Sequence, residues 1–255
     1  MIGGGRTAVT RQGHVVFRET GAWTASVHAL LRHLERVGFA ASPRVVGSGF
    51  DARGRETLTY IEGEIIHPAP WSDDAIVAIG RTIRQLHDAT TSFHIPEAAV
   101  WRPWFGRRIG GPRRVIGHCD AAPWNIVARA GKPVALIDWE VAGPVDPLTE
   151  LAQIAWNNAQ LYDDDVAEMN RLPGAAARMH QVRLLADAYE LPAADRRELT
   201  GRIIEFVAQS AANEVIEQGI TPQTRYAPRV WGIAWQTRSV AWILRNRPML
   251  EHALA

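Results

Sequence analysis

The stretch "NIVARAGKPVALID", residues 125 to 138, constrains this chain more than any other: two apolar runs flank a Gly-centred polar break. Such runs read as an antiparallel hairpin. With the turn centred between Gly131 and Lys132, residue 126 faces 137, 128 faces 135, and Asn125 faces Asp138, so two oxygen donors meet at the open end, about 5 Å apart at the backbone. Pro133 has no N–H to give a tight turn, so the spacing predicts a four-residue loop over Ala130 to Pro133.

An amide oxygen beside a carboxylate suits a hard cation such as Mg²⁺, which keeps waters and takes further ligands from phosphates. Asn125 and Asp138 are therefore the candidate metal ligands. Asp120 precedes them in "HCDAAPWN", where it can face a substrate hydroxyl while Asn125 faces the metal, the division of labour that phosphoryl transfer requires.

The chain around this hairpin divides in two. "HVVFRE" at 14 to 19 reads as a strand, and a helix follows in which Thr24 is the expected cap and Val27, Leu30, Leu31, Leu34 and Val37 form one apolar face before Gly38. "RVVGSG" and "RETLTYI" read as two more strands joined by "FDARG". After Glu62 the character turns helical. Ser72 caps a helix with Asp73 and Asp74 in its first turn, Trp71 and Ile76 form a hydrophobic staple, and Asp146 with Pro147 opens another helix.

At this point the residues resemble a family. "HCDAAPWN" followed by "LIDWE", with "RQLHDA" and "GPVDPLTELA" around them, is similar to the catalytic and metal-binding loops of the aminoglycoside phosphotransferase and choline kinase-like enzymes, over about residues 13 to 160. The resemblance implies an α+β, bilobal protein-kinase-like fold, with a short β-rich N-lobe at 1–63 and a mainly helical C-lobe at 64–255. It makes Asp120 the catalytic base, His118 a scaffold residue orienting its loop, Asn125 and Asp138 the Mg²⁺ ligands, and Tyr60, Ile61 and Glu62 the hinge that meets adenine. It also implies ATP or GTP as phosphoryl donor and a small hydroxyl-bearing acceptor: an aminoglycoside, an amino alcohol or a sugar-like molecule.

The chain departs from the family where a lysine usually grips the phosphates. Its basic residues are 27 arginines and one lysine, Lys132, so "VVFRE" offers Arg18 instead. The helix that usually supplies a glutamate partner has Val27 and His28 at that turn, and Glu150 stands where an aspartate is common. The chain begins almost at "IGGGR", which leaves little room for a first N-lobe strand; Gly4 and Gly5, with Gly3, either cradle phosphate through backbone N–H groups or belong to a frayed end.

Composition narrows the rest. A 47% hydrophobic content supplies a core, and 28 basic against 27 acidic residues give no field favouring nucleic acid or a membrane surface. The expected partner is a small molecule, with the chain a monomer or weak homodimer. One cysteine, Cys119, allows no internal disulfide, and the absence of a signal-like start or long apolar run suggests a cytoplasmic protein. Cys119 reads as a small buried residue. Trp156, Trp231, Trp235 and Trp242 suit core packing better than a cationic cage, and "YDDDVAE" suits a solvated helix start better than an amine-binding site. The rival readings are a catalytically silent nucleotide-binding regulator of the same fold and a metal-dependent hydrolase.

Overall fold

The structure is a computed structural model that describes residues 9–225 and 230–255; Gly4 and Gly5 lie outside the described residues. An antiparallel four-stranded sheet opens the chain, built from β1 (Val9–Gln12), β2 (Val15–Arg18), β3 (Val45–Phe50) and β4 (Glu56–Thr59), with spatial order β1-β2-β4-β3. Among the described residues one strand, β1, precedes the strand that carries Arg18. β4 inserts between β2 and β3, placing Arg18 directly opposite Glu56.

Helix α1 (Thr24–Arg36) packs on this sheet through Val27, Leu30, Leu31 and Leu34, all buried. Two details differ from the sequence reading. Trp23 occupies the cap position while the Thr24 hydroxyl turns back to accept the Gly21 N–H at 2.9 Å, and Val37 lies past the helix end, exposed. Gly38, at φ +81°, stops the helix in the left-handed region, where glycine carries no Cβ penalty.

The remainder is mostly helical. Helix α2 (Asp73–Thr90) is capped by Ser72, whose hydroxyl accepts the Ala75 N–H at 3.2 Å, and its Ile76, Ile79, Ile83 and Leu86 stripe is fully buried. Against it lie β5 (Val115–Gly117), the hairpin β6 (Ile126–Arg129) and β7 (Lys132–Leu136), and β8 (Gly143–Val145), which pairs with β5. Then come α3 (Pro147–Asn158), α4 (Asp164–Met169), α5 (Ala175–Ala188), α6 (Ala193–Glu217), α7 (Val230–Arg245) and α8 (Arg247–Leu254). Asp146 caps α3 by accepting the Thr149 N–H at 2.9 Å.

Trp242 is buried, and Trp156 stacks on Trp235 with centroids 4.9 Å apart, so these three serve packing as expected; Trp231 does not, being 53% exposed. The acidic run is a solvated helix start, tied down by Arg238 and Arg245 on Asp163 and by the Trp242 indole on Asp164. Among the described residues no helix is long and apolar enough to cross a membrane.

The β6–β7 hairpin corrects the expected register. Ile126 pairs with Leu136 and Val127 with Ala135; the register then shifts, so that Ala128 pairs with Pro133 and Arg129 with Lys132. The turn is the two residues Ala130 and Gly131, at φ +49° and +71°, the left-handed pair that matches strand twist in tight hairpins. Pro133 is tolerated because Ala128 bonds the other way, exchanging both backbone hydrogen bonds with Glu64 at 2.8 and 2.9 Å. At the open end Asn125 meets Ile137, not Asp138, through an Ile137 N–H to Asn125 carbonyl bond of 2.9 Å.

Candidate active site

The loop between β5 and β6 bears His118, Asp120 and Asn125, and its backbone is sharply bent. Cys119 sits at φ +65°, which turns the chain sharply between His118 and Asp120. The strain is held by Glu150 of α3, fully buried, whose Oε1 accepts the Cys119 N–H at 2.7 Å. Its Oε2 meets His87 Nε2 at 2.6 Å, and His87 Nδ1 meets the Tyr189 hydroxyl at 2.7 Å. Burial alone would raise the Glu150 pKa, but the bonds from His87 and Cys119 outweigh it and hold the carboxylate below its usual range. Glutamate in place of the commoner aspartate thus still reaches the loop.

Gly117 makes that reach possible. A Cβ there would lie 1.9 Å from Glu150 Oε2, inside any tolerable contact. Gly117→Ala is expected to destabilise the fold by about 1–3 kcal/mol through overpacking against a carboxylate with nowhere to go. A thermal melt unchanged from wild type would show that Glu150 is not fixed as described.

His118 ties this loop to the one after β7. It is completely buried, its Nε2 donates to the Ile137 carbonyl at 2.9 Å, its Nδ1 accepts the Asp120 N–H at 3.2 Å, and its ring packs edge-on against Trp139. These roles require the neutral imidazole, and burial lowers its pKa accordingly. His118 thus links the backbone at Asp120 to the segment that leads into Asp138. Cys119 is inert, its thiol pushed well up by burial.

Asp120 is the titratable centre. Its Oδ2 accepts Asn125 Nδ2 at 2.8 Å and its Oδ1 accepts Gln153 Nε2 at 3.1 Å. Burial, and then the nearby Asp138 carboxylate, push its pKa up to about 7 in spite of these two bonds. A carboxylate poised near neutrality within reach of solvent suits general-base work.

Because Asn125 turns its amide nitrogen to Asp120, its amide oxygen is the free end. Asp138 stands beside it in the left-handed region, at φ +65°, ψ +62°. An amide oxygen and a carboxylate are hard donors of the kind Mg²⁺ takes, and two protein ligands leave room for waters and phosphates. The residues fit the ion. Among the described residues no cluster of three or more His, Cys, Asp or Glu side chains offers a metal cage.

Arg18 enters from β2. Its Nη2 lies 2.6 Å from Asp138 Oδ1 and 3.5 Å from Glu140 Oε2, and its Nε is 3.8 Å from Glu56 Oε2. Burial opposes the charge, but Asp138 and Glu56 more than compensate and raise the guanidinium's pKa. Arg102 also pairs with Glu140 and lies 4.8 Å over the Trp23 ring. Tyr60, Ile61 and Glu62, the residues expected to meet adenine, follow β4: the Tyr60 N–H donates to the His14 carbonyl and the Glu62 carbonyl accepts from Arg129 Nε at 2.9 Å.

Four contributors, Gln153, Glu56, His28 and Arg107, were given no site role in the sequence. Gln153 is one helical turn past Glu150, a spacing that α3's capping motif already fixed. Glu56 and His28 required knowing that β4 lies beside β2. Arg107 braces the segment after Asp138, donating to the carbonyls of Val141 at 2.7 Å and Pro144 at 3.0 Å.

Comparison with known proteins agrees with this geometry. Residues 95–185, which span the loop bearing Asp120 and the hairpin mouth, match the model of the phosphotransferase enzyme family. A trifolitoxin immunity protein of Rhizobium leguminosarum bv. trifolii is 55% identical over 255 residues, covering 100% of this chain and 98% of that protein. A choline/ethanolamine kinase family protein of Mesorhizobium loti superposes with a TM-score of 0.62 at 17% identity, over 99% of this chain and 90% of that one. An amicoumacin kinase in complex with AMP-PNP and Ca²⁺ superposes with a TM-score of 0.63 at 12% identity, over 97% and 88%. Kinase-like architecture, the matched catalytic segment and a full-length relative converge: the chain belongs to the phosphotransferase enzyme family.

Proposed function

We propose that the protein transfers the γ-phosphoryl group of ATP or GTP to a hydroxyl of a small acceptor. The observation that carries this is Asp120: a part-buried carboxylate, its pKa pushed up to about 7, gripped by two amides and adjoining a pair of hard oxygen donors. Asp120 takes the hydroxyl proton as the acceptor oxygen attacks the γ-phosphorus, and the bond to the departing nucleoside diphosphate breaks. Asn125 and Asp138 hold Mg²⁺, which when bound neutralises phosphate charge. Arg18 adds a second positive charge, and Tyr60, Ile61 and Glu62 receive the base. The nucleotide analogue and divalent cation in the amicoumacin kinase complex support the donor and metal assignments.

The full-length relative's role in immunity to trifolitoxin supports an acceptor that is itself toxic, so that phosphorylation protects the cell. A silent nucleotide-binding module is favoured by one observation, the pairing of Arg18 with Asp138, because this pairing competes with a metal for the same carboxylate.

The pH profile tests the reading. Asp120 must be ionised to act, so kcat/KM for the acceptor at saturating Mg-nucleotide is expected to fall as pH drops and Asp120 takes up a proton. The inflection is expected at or below about 7, because Mg²⁺ on Asp138 would offset the charge that helps to raise it. A flat profile between pH 5 and 9 would remove Asp120 as the base. Tight Mg-nucleotide binding with no diphosphate release on any acceptor would leave the silent module.

A further inference from the structure

Arg18 shares a buried trio with Glu56 and His28, neither of which has a part in the phosphoryl-transfer scheme. All three are less than a tenth exposed. Arg18 and Glu56 face each other across the β2–β4 ladder, and Glu56 Oε1 lies 3.0 Å from His28 Nε2 of α1. Gly49 keeps the space for that ring, since a Cβ there would meet His28 Nδ1 at 2.5 Å. The other oxygen, Oε2, faces Arg18 Nε at 3.8 Å, too far for a hydrogen bond, and the buried Arg18 Nε has no hydrogen-bond partner among the described residues. A buried guanidinium N–H left unpaired is costly, which calls for a state in which it is satisfied.

We propose that Glu56, oriented by His28, is the positioning carboxylate for Arg18, and that Arg18 passes to it from Asp138 when Asp138 is engaged by metal. The inference rests on the nucleotide-binding reading above. In the structure Arg18 Nη2 holds Asp138 Oδ1. Once that oxygen is needed elsewhere, Arg18 loses its shortest ion pair, and the carboxylate that can keep its fork aimed at the phosphates is the one across the strand. Closing the Nε to Oε2 gap by less than 1 Å makes a charge-assisted hydrogen bond of ordinary length, about 2.7–2.9 Å. Arginine rather than lysine suits this arrangement, because Nε can serve Glu56 while both Nη groups remain for other oxygens. The acid that steadies the phosphate-binding cation thus comes from a neighbouring strand, with a helix histidine behind it.

Calorimetric titration of Mg-ATP and Mg-GTP into wild type and Glu56→Gln, at several fixed Mg²⁺ concentrations, tests this. Glu56→Gln is expected to weaken nucleotide binding about tenfold and to require several-fold more Mg²⁺ for half of the maximal affinity, because Arg18 then stays on Asp138. The nucleotide KM should rise while kcat at saturation and the acceptor KM change little. A folded Glu56→Gln with wild-type Kd and wild-type Mg²⁺ dependence overturns the proposal while leaving the kinase reading intact. If wild type itself binds no Mg-nucleotide, the kinase reading fails first. Should Glu56→Gln not fold, Glu56→Asp, which keeps the charge on a shorter arm, is read instead: intermediate weakening supports the proposal and unchanged binding overturns it.

Discussion

Asp120→Asn lowers kcat for phosphoryl transfer by about 10²- to 10⁴-fold while nucleotide affinity stays within about twofold, the expected signature of losing a general base without losing a phosphate contact. The substitution keeps the side chain's size but offers one oxygen where the wild type offers two, to Asn125 and to Gln153. One amide therefore faces a donor, at some cost in stability. The wild type carries an opposite cost: its carboxyl pKa, raised to about 7, means that the folded state binds a proton more tightly than the unfolded chain. The stability this group contributes is complete below the ordinary carboxylate pKa of about 3.9 and is lost as pH rises through about 7. Melting temperatures of wild type and Asp120→Asn compared at pH 5 and pH 8 should accordingly shift in the variant's favour at the higher pH. Full turnover by the variant would exclude Asp120 from proton transfer.

Asp138→Ala removes the magnesium-dependent part of nucleotide affinity, because the amide oxygen of Asn125 alone is a poor site for a hard divalent ion. Two further effects follow from its surroundings. Arg18 loses its 2.6 Å partner, and in the metal-free protein Asp120 loses the neighbouring negative charge that helps to raise its pKa. Asp138→Asn is the better control for folding, since asparagine tolerates the left-handed backbone at φ +65° more readily than alanine. Nucleotide titrations with and without Mg²⁺ that show the same metal dependence in Asp138→Ala and wild type would refute the assignment.

The gathering of His118, Asp120 and Asn125 on one loop was legible in the sequence because its signals are local. An Asp between a His and an Asn at fixed spacing, ahead of two apolar runs, needs no knowledge of distant packing. Ser72, Asp146 and the apolar stripe of α2 were legible for the same reason. The hairpin register slipped by one because the turn closed on Ala130 and Gly131, and Pro133 was excused by Glu64 on the far edge of β6, a contact no local rule reveals. Asn125 and Asp138 still end beside one another, since Ile137 pairs with Asn125 and Asp138 follows it. The trio around Arg18 was hidden by topology. Sequential strands usually neighbour one another, which would set β2 beside β3; with β4 between them, the carboxylate missing from α1 returns from a strand.

Phosphoryl transfer itself is the most direct test of this assignment. The protein is incubated with Mg-ATP or Mg-GTP and a panel of hydroxyl-bearing acceptors that includes trifolitoxin, aminoglycosides, amino alcohols and sugars, and each acceptor is followed by mass spectrometry alongside diphosphate release. The account predicts that at least one acceptor gains a single phosphoryl group in step with the diphosphate formed, and that Asp120→Asn abolishes both. Diphosphate release at the same rate with and without every acceptor, or acceptor modification that survives in Asp120→Asn, would contradict it.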